Sequence, residues 1–307
     1  MPKVMHSPTR PAAALIIAAL TVAAPETSRA GFIPFSVGGN TTTASIQPTV
    51  DAFRAAVGNP NNGNAAGPLT SGRREINWDG GGATTSSPGG TPFTVFFNNR
   101  GAGITTPGTG FLQTPLDSAA NAPELAALNP TYVGANTPFS AFSPVRIFTP
   151  VGSNIMDVTF IVPGSAPTNT FGTGIQATVD AFGAVFADVD LATSSSLQFF
   201  DINGNSLTGV INVLPGFVPG VTFPDRTLSF LGLVADAGEH IARVRITTGT
   251  AALGPNDNPA QGVDMVVLDD FIYREPRAIQ AVPEPATLAV LGLGLAGLAA
   301  SRRRKMN

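Results

Sequence analysis

The chain of 307 residues contains no cysteine. Disulfide bridges, thiolate metal sites and cysteine nucleophiles are therefore all excluded. Stability has to come from the burial of an apolar core. The length is sufficient for such a core, in one domain or in two small ones.

Lysine is almost absent, and both copies, Lys3 and Lys305, lie at the ends of the chain. Of 17 basic residues seven lie in the terminal segments, whereas of 20 acidic residues only Glu26 and Glu284 do, so residues 31–281 carry a net charge of −8. An acidic surface without lysine repels phosphate backbones, which predicts no binding to nucleic acid. The same surface attracts divalent cations.

Catalytic residue types are also scarce. His240 is the only histidine after residue 30, it falls in a predicted turn, and no G-x-S-x-G motif is present. We therefore predict that the protein is not an enzyme. The alternative is a polysaccharide hydrolase or lyase, which needs only two carboxylates about 5–9 Å apart. Asp188 paired with Asp269 or Asp270 is the candidate for that chemistry.

The N-terminus has the pattern of a secretory signal peptide, which predicts residues 1–30 as a separate unit. Lys3 and Arg10 precede an apolar segment at residues 12–24, and Ser28-Arg29-Ala30 offers small residues to signal peptidase. Cleavage is predicted after Ala30. A retained N-terminal anchor is the alternative, although the apolar segment is short for a membrane span.

The C-terminus has three parts in a fixed order. Residues 282–285 read Val-Pro-Glu-Pro and residues 286–300 are apolar, and a basic cluster then follows, formed by Arg302, Arg303, Arg304 and Lys305. A helix over residues 287–300 spans about 21 Å, which is short against a bilayer core of about 30 Å. The basic cluster favours a cytoplasmic C-terminus and leaves the rest of the chain on the outer side.

This tail resembles the PEP-CTERM sorting signal of exported proteins in Gram-negative, exopolysaccharide-making bacteria. The resemblance implies that an exosortase recognises Pro283, Glu284 and Pro285 at the inner membrane and removes the transmembrane helix 286–300. It also implies a final location in the cell envelope or the extracellular matrix, with exopolysaccharide as a candidate partner. The order of the segments 72–80, 96–101, 185–190 and 269–273 looks like an uncharacterised ectodomain type that recurs among such proteins.

Between the two signals the pattern is β-rich. Residues 31–140 are rich in turn-forming residues and contain one predicted helix, from Thr49 to Val57, which Gly58 ends. Residues 141–281 predict a β-sandwich, either as a separate domain or as one domain with residues 31–140. Short apolar runs predict strands at residues 93–97, 145–148, 157–162, 176–189, 196–200, 206–214, 227–234, 241–247 and 264–273. In 241–247 apolar and polar residues alternate, which is typical of a half-buried antiparallel strand. We therefore predict an all-β antiparallel sandwich of jelly-roll type.

Trp78 is the only tryptophan, and it lies in the charged segment 72–80. One interpretation is a glycan-binding platform on which Trp78 stacks against a sugar ring while Arg73 and Asp79 supply hydrogen bonds. The other is a short strand whose Ile76 and Trp78 face the core. The sequence leaves both open.

Acidic residues in the second half suggest one cation site. Asp188 and Asp190 lie two apart at the end of a predicted strand, and Asp269 lies in the last strand. Together they are a candidate structural Ca²⁺ site, because Ca²⁺ takes six to eight oxygen ligands. The spacing of Asp201, Asn203 and Asn205 is instead explained by a hairpin turn, since Asn203-Gly204 is a strong turn signal.

The sequence thus predicts an exported, exosortase-processed surface or matrix protein. Its β-sandwich is predicted to be non-catalytic and structural or glycan-adhesive, with Ca²⁺ as the only candidate cofactor.

Overall fold

A computed structural model describes residues 31–80, 82 and 86–279. Every ladder between its named strands is antiparallel. The strands are β1 Phe32–Gly38, β2 Arg73–Ile76, β3 Ser87–Gly89, β4 Ala102–Thr105, β5 Gly110–Pro115, β6 Arg146–Val151, β7 Ile155–Phe160, β8 Ala177–Thr178, β9 Ala181–Ala187, β10 Ser196–Phe200, β11 Ile211–Asn212, β12 Leu228–Ala235, β13 Arg243–Thr247, β14 Val267–Arg274 and β15 Arg277–Ala278. The helices are α1 Gln47–Val57, α2 Phe97–Arg100 and α3 Pro123–Leu128, with 3-10 turns at Thr43–Ser45, Pro130–Tyr132 and Pro259–Gln261.

Two sheets face each other and enclose the main core. The larger sheet has the order β1-β12-β9-β14-β6-β5-β3 with β2 paired to β14, and the smaller has the order β11-β10-β13-β7-β4. One cluster of buried side chains takes residues from both sheets, for example Phe182 and Phe271 from the larger and Val244 from the smaller. This confirms the predicted β-rich antiparallel architecture. The larger sheet contains strands from both of the predicted parts, 31–140 and 141–281.

The two sheets differ in how their outer faces are covered. Strands β7 and β13 of the smaller sheet alternate buried and half-buried residues, as expected when one face meets solvent. Strands β9, β12 and β14 of the larger sheet are buried along nearly their whole length. Their second face packs against α1, α3 and the connecting segments, which form a second apolar cluster.

Helix α1 contacts the larger sheet through Val50, Phe53 and Val57, all buried. It begins at Gln47, two residues before the predicted start, because Pro48 fits the first turn of a helix. Thr49 therefore lies inside the helix and is not its cap. Gly58 ends it with a φ of 106°.

Some predicted strands are wrong. The aromatic run 93–97 forms no strand: Phe93 makes one isolated bridge to Ile104, and α2 begins at Phe97. Its rings instead pack in the core, where Phe93 and Phe96 contact Trp78. Most of 206–214 is irregular as well, with only Ile211–Asn212 forming a strand.

A fully buried ion pair joins β2 to the end of β14. Arg74 donates to both carboxylate oxygens of Glu275, through Nε at 2.8 Å and Nη2 at 2.7 Å, and both side chains are 0% exposed. Glu275 also accepts from Asn62 and from the backbone of Leu69. This contact fixes the end of β14 against β2.

The two predicted targeting segments, 1–30 and 282–307, lie outside the described residues. Within the part that is described, no helix has both the length and the apolar character needed to cross a membrane.

Candidate cation site

Five aspartates come together at one edge of the larger sheet, because β12, β9 and β14 are neighbours there. In this antiparallel arrangement the end of β9 at Ala187 pairs with the start of β12 at Leu228 and with the start of β14 at Val267. The residue after β9 and the residues before β12 and β14 therefore meet at this edge. They include Asp188, Asp225 and Asp264.

The aspartates form two overlapping groups. In each group one carboxylate oxygen from every member lies within 4.8 Å of the others. The first group is Asp188, Asp225 and Asp257, and the second is Asp190, Asp257 and Asp264. Asp257 belongs to both, so the cluster offers either one shared site or two adjacent ones. We call these five residues the aspartate cluster.

Asp188 is held in place by the backbone around it. It has a φ of 70° and is 0% exposed, and its own N–H donates to the carbonyl of Thr227. Its Oδ1 accepts from the N–H of Arg226 at 2.9 Å. Its Oδ2 is buried and has no hydrogen-bond partner among the residues that the structure describes.

Asp264 anchors the loop that carries Asp190. Its Oδ2 accepts from the backbone N–H groups of Asp190 and Leu191, at 3.1 and 2.9 Å, and from Ser194 Oγ at 2.5 Å. Within residues 31–80, 82 and 86–279, its Oδ1 is buried without a hydrogen-bond partner, and neither oxygen of Asp190 has one. Asp257 is half-buried, and its Oδ1 accepts from the N–H of Met265.

Burial and mutual repulsion disfavour the charged forms of these groups. Burial, with the nearby charge of Asp190, raises the pKa of Asp188 to about 10. Burial, with the charge of Asp264, raises the pKa of Asp190 to about 8, and burial raises that of Asp257 to about 6. Burial likewise raises the pKa of Asp264.

The cluster has the chemistry of a site for a hard divalent cation. Buried polar atoms are normally hydrogen-bonded, since leaving one unpaired costs about 1–3 kcal/mol. Among the described residues, four such oxygens lack a partner, one on Asp188 in the first group and three on Asp190 and Asp264 in the second. A cation bound at each group would supply a partner for the oxygens there. Carboxylate oxygens are the ligands that Ca²⁺ prefers, and its flexible coordination suits an irregular set of loops.

Asp269, the third residue of the predicted Ca²⁺ site, lies in a different environment and belongs to neither group. Its Oδ2 accepts from the N–H groups of Phe142 and Ser143 at 2.6 and 3.1 Å. Ser143 Oγ lies 3.2 Å from Asp269 Oδ1 and 2.7 Å from Asp270 Oδ1, and Arg54 lies 3.2 Å from Asp270. Burial raises the pKa of both carboxyls. Asp269 and Asp270 thus accept hydrogen bonds in an environment of their own, whereas Asp188 belongs to the aspartate cluster.

The residues proposed for glycan contact also have structural partners. Trp78 is 0% exposed; its ring stacks on Phe148 with centroids 3.7 Å apart, and its Nε1 donates to the carbonyl of Asp269. Arg73 pairs with Glu75, and Asp79 accepts from the N–H of Val145 at 2.6 Å. The Trp78 ring is therefore not presented to a ligand at the surface.

Sequence reasoning did not include Asp225, Asp257 and Asp264 in a site. Asp264 was visible as the first residue of the last apolar run, and Asp257 lies in the oxygen-rich segment Asn256-Asp257-Asn258. Their proximity depends on the order of β12, β9 and β14, which single-strand patterns do not give.

The tail defines the class of protein. An apolar segment between a Pro-Glu-Pro motif and a basic cluster is the mark of proteins that are exported and then sorted at the membrane by an exosortase. Residues 281–305 match the model of the PEP-CTERM protein-sorting motif, so the chain is an exported exosortase substrate. Pro283, Glu284 and Pro285 and the basic residues 302–305 all lie within the match. No curated protein and no solved structure matches the chain significantly.

Proposed function

We propose that this protein is a non-catalytic, Ca²⁺-binding β-sandwich displayed at the cell envelope or in the extracellular matrix after exosortase processing. Its role is structural or adhesive, in contact with exopolysaccharide, and its sandwich is of jelly-roll type. Ca²⁺ at the aspartate cluster holds together the loops at one end of the larger sheet.

One observation carries this proposal: within the part of the chain that the structure describes, Asp188, Asp190 and Asp264 have buried carboxylate oxygens without hydrogen-bond partners, and they belong to two groups that share Asp257. An enzyme that uses two carboxylates needs them in an open cleft where a substrate fits. Here three of the five aspartates are buried, and Asp225 alone is exposed. This arrangement supports a bound ion over a hydrolytic pair.

Thermal unfolding with Ca²⁺ and with a chelator tests the proposal. A ligand that binds only the folded state adds about 2.7 kcal/mol at a hundred times its Kd, which at about 2–4 °C per kcal/mol raises Tm by roughly 5–10 °C. We expect this rise with Ca²⁺ and its loss in the chelator.

Two variants and a control locate the effect. Asp188→Asn changes a buried member of the cluster, and Asp225→Asn changes the exposed one. Both variants should abolish or strongly reduce the rise in Tm. Asp51→Asn, an equal charge change on the exposed side of α1, should leave it intact. An unchanged Tm in the wild-type protein, or equal rises in all variants, would contradict the proposal.

A further inference from the structure

A pocket of about 530 Å³ lies next to the aspartate cluster. Its wall is largely apolar, with Pro115, Leu116, Phe139 and Val145 among the lining residues. Two charged side chains, Asp117 and Arg226, also line it. Pockets of about 300–1,000 Å³ with an apolar wall and a few polar groups are typical of small-molecule sites.

Arg226 has an available guanidinium. Its Nη1 donates to the carbonyl of Ala135 at 3.3 Å, and among the residues that the structure covers it makes no ion pair. The side chain is exposed. An arginine fork with free donors matches the two oxygens of a carboxylate.

Asp117 offers a hydrogen-bond acceptor on the same pocket wall. It is exposed, and its Oδ2 accepts from Asn121 Nδ2 at 2.6 Å. Its other oxygen can accept from a hydroxyl group of a ligand, whereas it would repel a second carboxylate. A ligand that satisfies both Arg226 and Asp117 carries a carboxylate and hydroxyl donors on one compact body, and the apolar wall suits the face of a sugar ring.

The pocket and the aspartate cluster share a two-residue segment. Asp225 belongs to the cluster, and the next residue, Arg226, lines the pocket. Arg226 has a φ of 66°, and its N–H donates to Asp188 Oδ1 and to the carbonyl of Pro138. Its own carbonyl accepts from Ser140 Oγ at 2.8 Å. A cation bound by Asp188 and Asp225 would therefore fix the backbone that aims the guanidinium.

We propose that this pocket binds an acidic saccharide, with Arg226 holding the carboxylate, and that the cation at the aspartate cluster strengthens this binding. The effect of the cation rests on the proposed function, whereas the binding of a saccharide in the pocket does not. Because coupling between two sites is reciprocal, the saccharide also tightens the binding of Ca²⁺ by the same factor.

The test uses the full chain in a neutral detergent and three probes followed by NMR titration. Glucuronate should bind in the presence of Ca²⁺. Glucose lacks the carboxylate and acetate lacks the ring, so both should bind at least about tenfold more weakly. Equal binding of glucose or of acetate would overturn the assignment.

Two variants then test whether the Arg226 guanidinium contributes to glucuronate binding. Arg226→Gln keeps a side chain of similar length at a position with positive φ. It should weaken the binding of glucuronate at least about tenfold. Arg277→Gln removes an exposed arginine at a distant strand and should have no effect. Unchanged binding in Arg226→Gln would overturn the role of Arg226.

The effect of Ca²⁺ on glucuronate binding is measured separately from its effect on the stability of the protein. A chelator should weaken the binding of glucuronate by about fivefold or more. Binding that is identical with Ca²⁺ and with chelator, in protein that Ca²⁺ demonstrably stabilises, would overturn the coupling and leave the proposed function intact. If Ca²⁺ does not stabilise the protein, the proposed function and the coupling both fail, and glucuronate binding that still requires Arg226 would preserve the pocket alone.

Discussion

Asp188, Asp190 and Asp264 are buried carboxylates with oxygens that accept no hydrogen bond from the described part of the chain. Such groups are costly in a folded protein unless they are protonated or bound to a cation. Without a cation the raised pKa values of Asp188 and Asp190 keep both in the neutral form near pH 7. Binding of Ca²⁺ therefore has to displace protons.

Proton displacement predicts a pH-dependent affinity. Ligand carboxylates must be ionised to bind the metal, so Ca²⁺ should bind more weakly as the pH falls from 8 to 6, by up to about tenfold per pH unit for each proton displaced. Calorimetric titrations in buffers of different ionisation enthalpy would count the protons released. Release of none at pH 7 would contradict the protonated state of the free site.

The same groups predict how the cation-free protein responds to pH. A carboxyl with a raised pKa binds more protons in the folded state than in the unfolded state, so stability falls as the pH rises from about 4 toward the folded pKa, by about 1.4 kcal/mol per unit and per proton. Urea unfolding in chelator should therefore show a smaller loss of stability between pH 5 and pH 8 in Asp188→Asn than in the wild type. Identical pH profiles would show that Asp188 does not titrate as expected.

The sequence placed Asp188 and Asp190 in a cation site because they are two apart at a strand end. It also placed Asp269 there, although that side chain accepts backbone hydrogen bonds elsewhere. A local pattern marks the acidic residues, but which of them meet is decided by long-range strand pairing.

Strand β13 of the smaller sheet could be predicted from its own residues. In β13 the alternation of Arg243, Val244, Arg245 and Ile246 matches its burial. Strand β5 was missed because both of its faces are buried, and its Gly-Phe-Leu-Gln-Thr-Pro sequence therefore shows no alternation. The aromatic run at 93–97 predicts a strand because phenylalanine is frequent in strands, whereas Phe93 and Phe96 instead pack around Trp78 in the core.

The packing of α1 on the larger sheet depends on two glycines. Gly183 of β9 pairs with Gly232 of β12, and Phe53 of α1 lies over both. A methyl group on Gly183 would lie 2.9 Å from Phe53 Cε1 and 2.8 Å from Phe230 Cζ. No larger residue fits there unless the rings of Phe53 and Phe230 move.

Gly183→Ala is therefore expected to destabilise the protein by about 1–3 kcal/mol, the usual cost of overpacking a core. Chemical denaturation measures this, with Gly209→Ala as the control because a methyl group there meets nothing within 4 Å. Adding Phe53→Leu should cost less in the Gly183→Ala background than in the wild type, since the smaller side chain relieves the clash. Strict additivity would contradict the contact.

At the scale of the whole molecule, the Arg74–Glu275 pair connects β2, in the first half of the chain, to the residue that follows β14, near its end. Glu275→Gln leaves Arg74 buried without a counter-charge, for which we expect a loss of about 3–5 kcal/mol. Asp180→Asn is the control, because it breaks a pair of half-exposed partners with Arg274 that is worth no more than about 1 kcal/mol. Similar losses in the two variants, measured by urea unfolding, would contradict the difference in burial.

The organisation of the whole chain was predicted best at its end. The C-terminal signal is read from order and composition alone, and the match at residues 281–305 confirms it. The role of the body could not be read in the same way, because its aspartates are separated by up to 76 positions, from Asp188 to Asp264, and only the sheet brings them together.

Direct titration of the metal-free protein with Ca²⁺ tests the central claim. Calorimetry should detect at least one ion bound per chain. Asp257→Asn should abolish or strongly weaken this binding, because Asp257 belongs to both groups of the cluster, while Asp51→Asn should bind as the wild type does. No binding to the wild type, or binding that Asp257→Asn leaves unchanged, would contradict a cation site at the aspartate cluster.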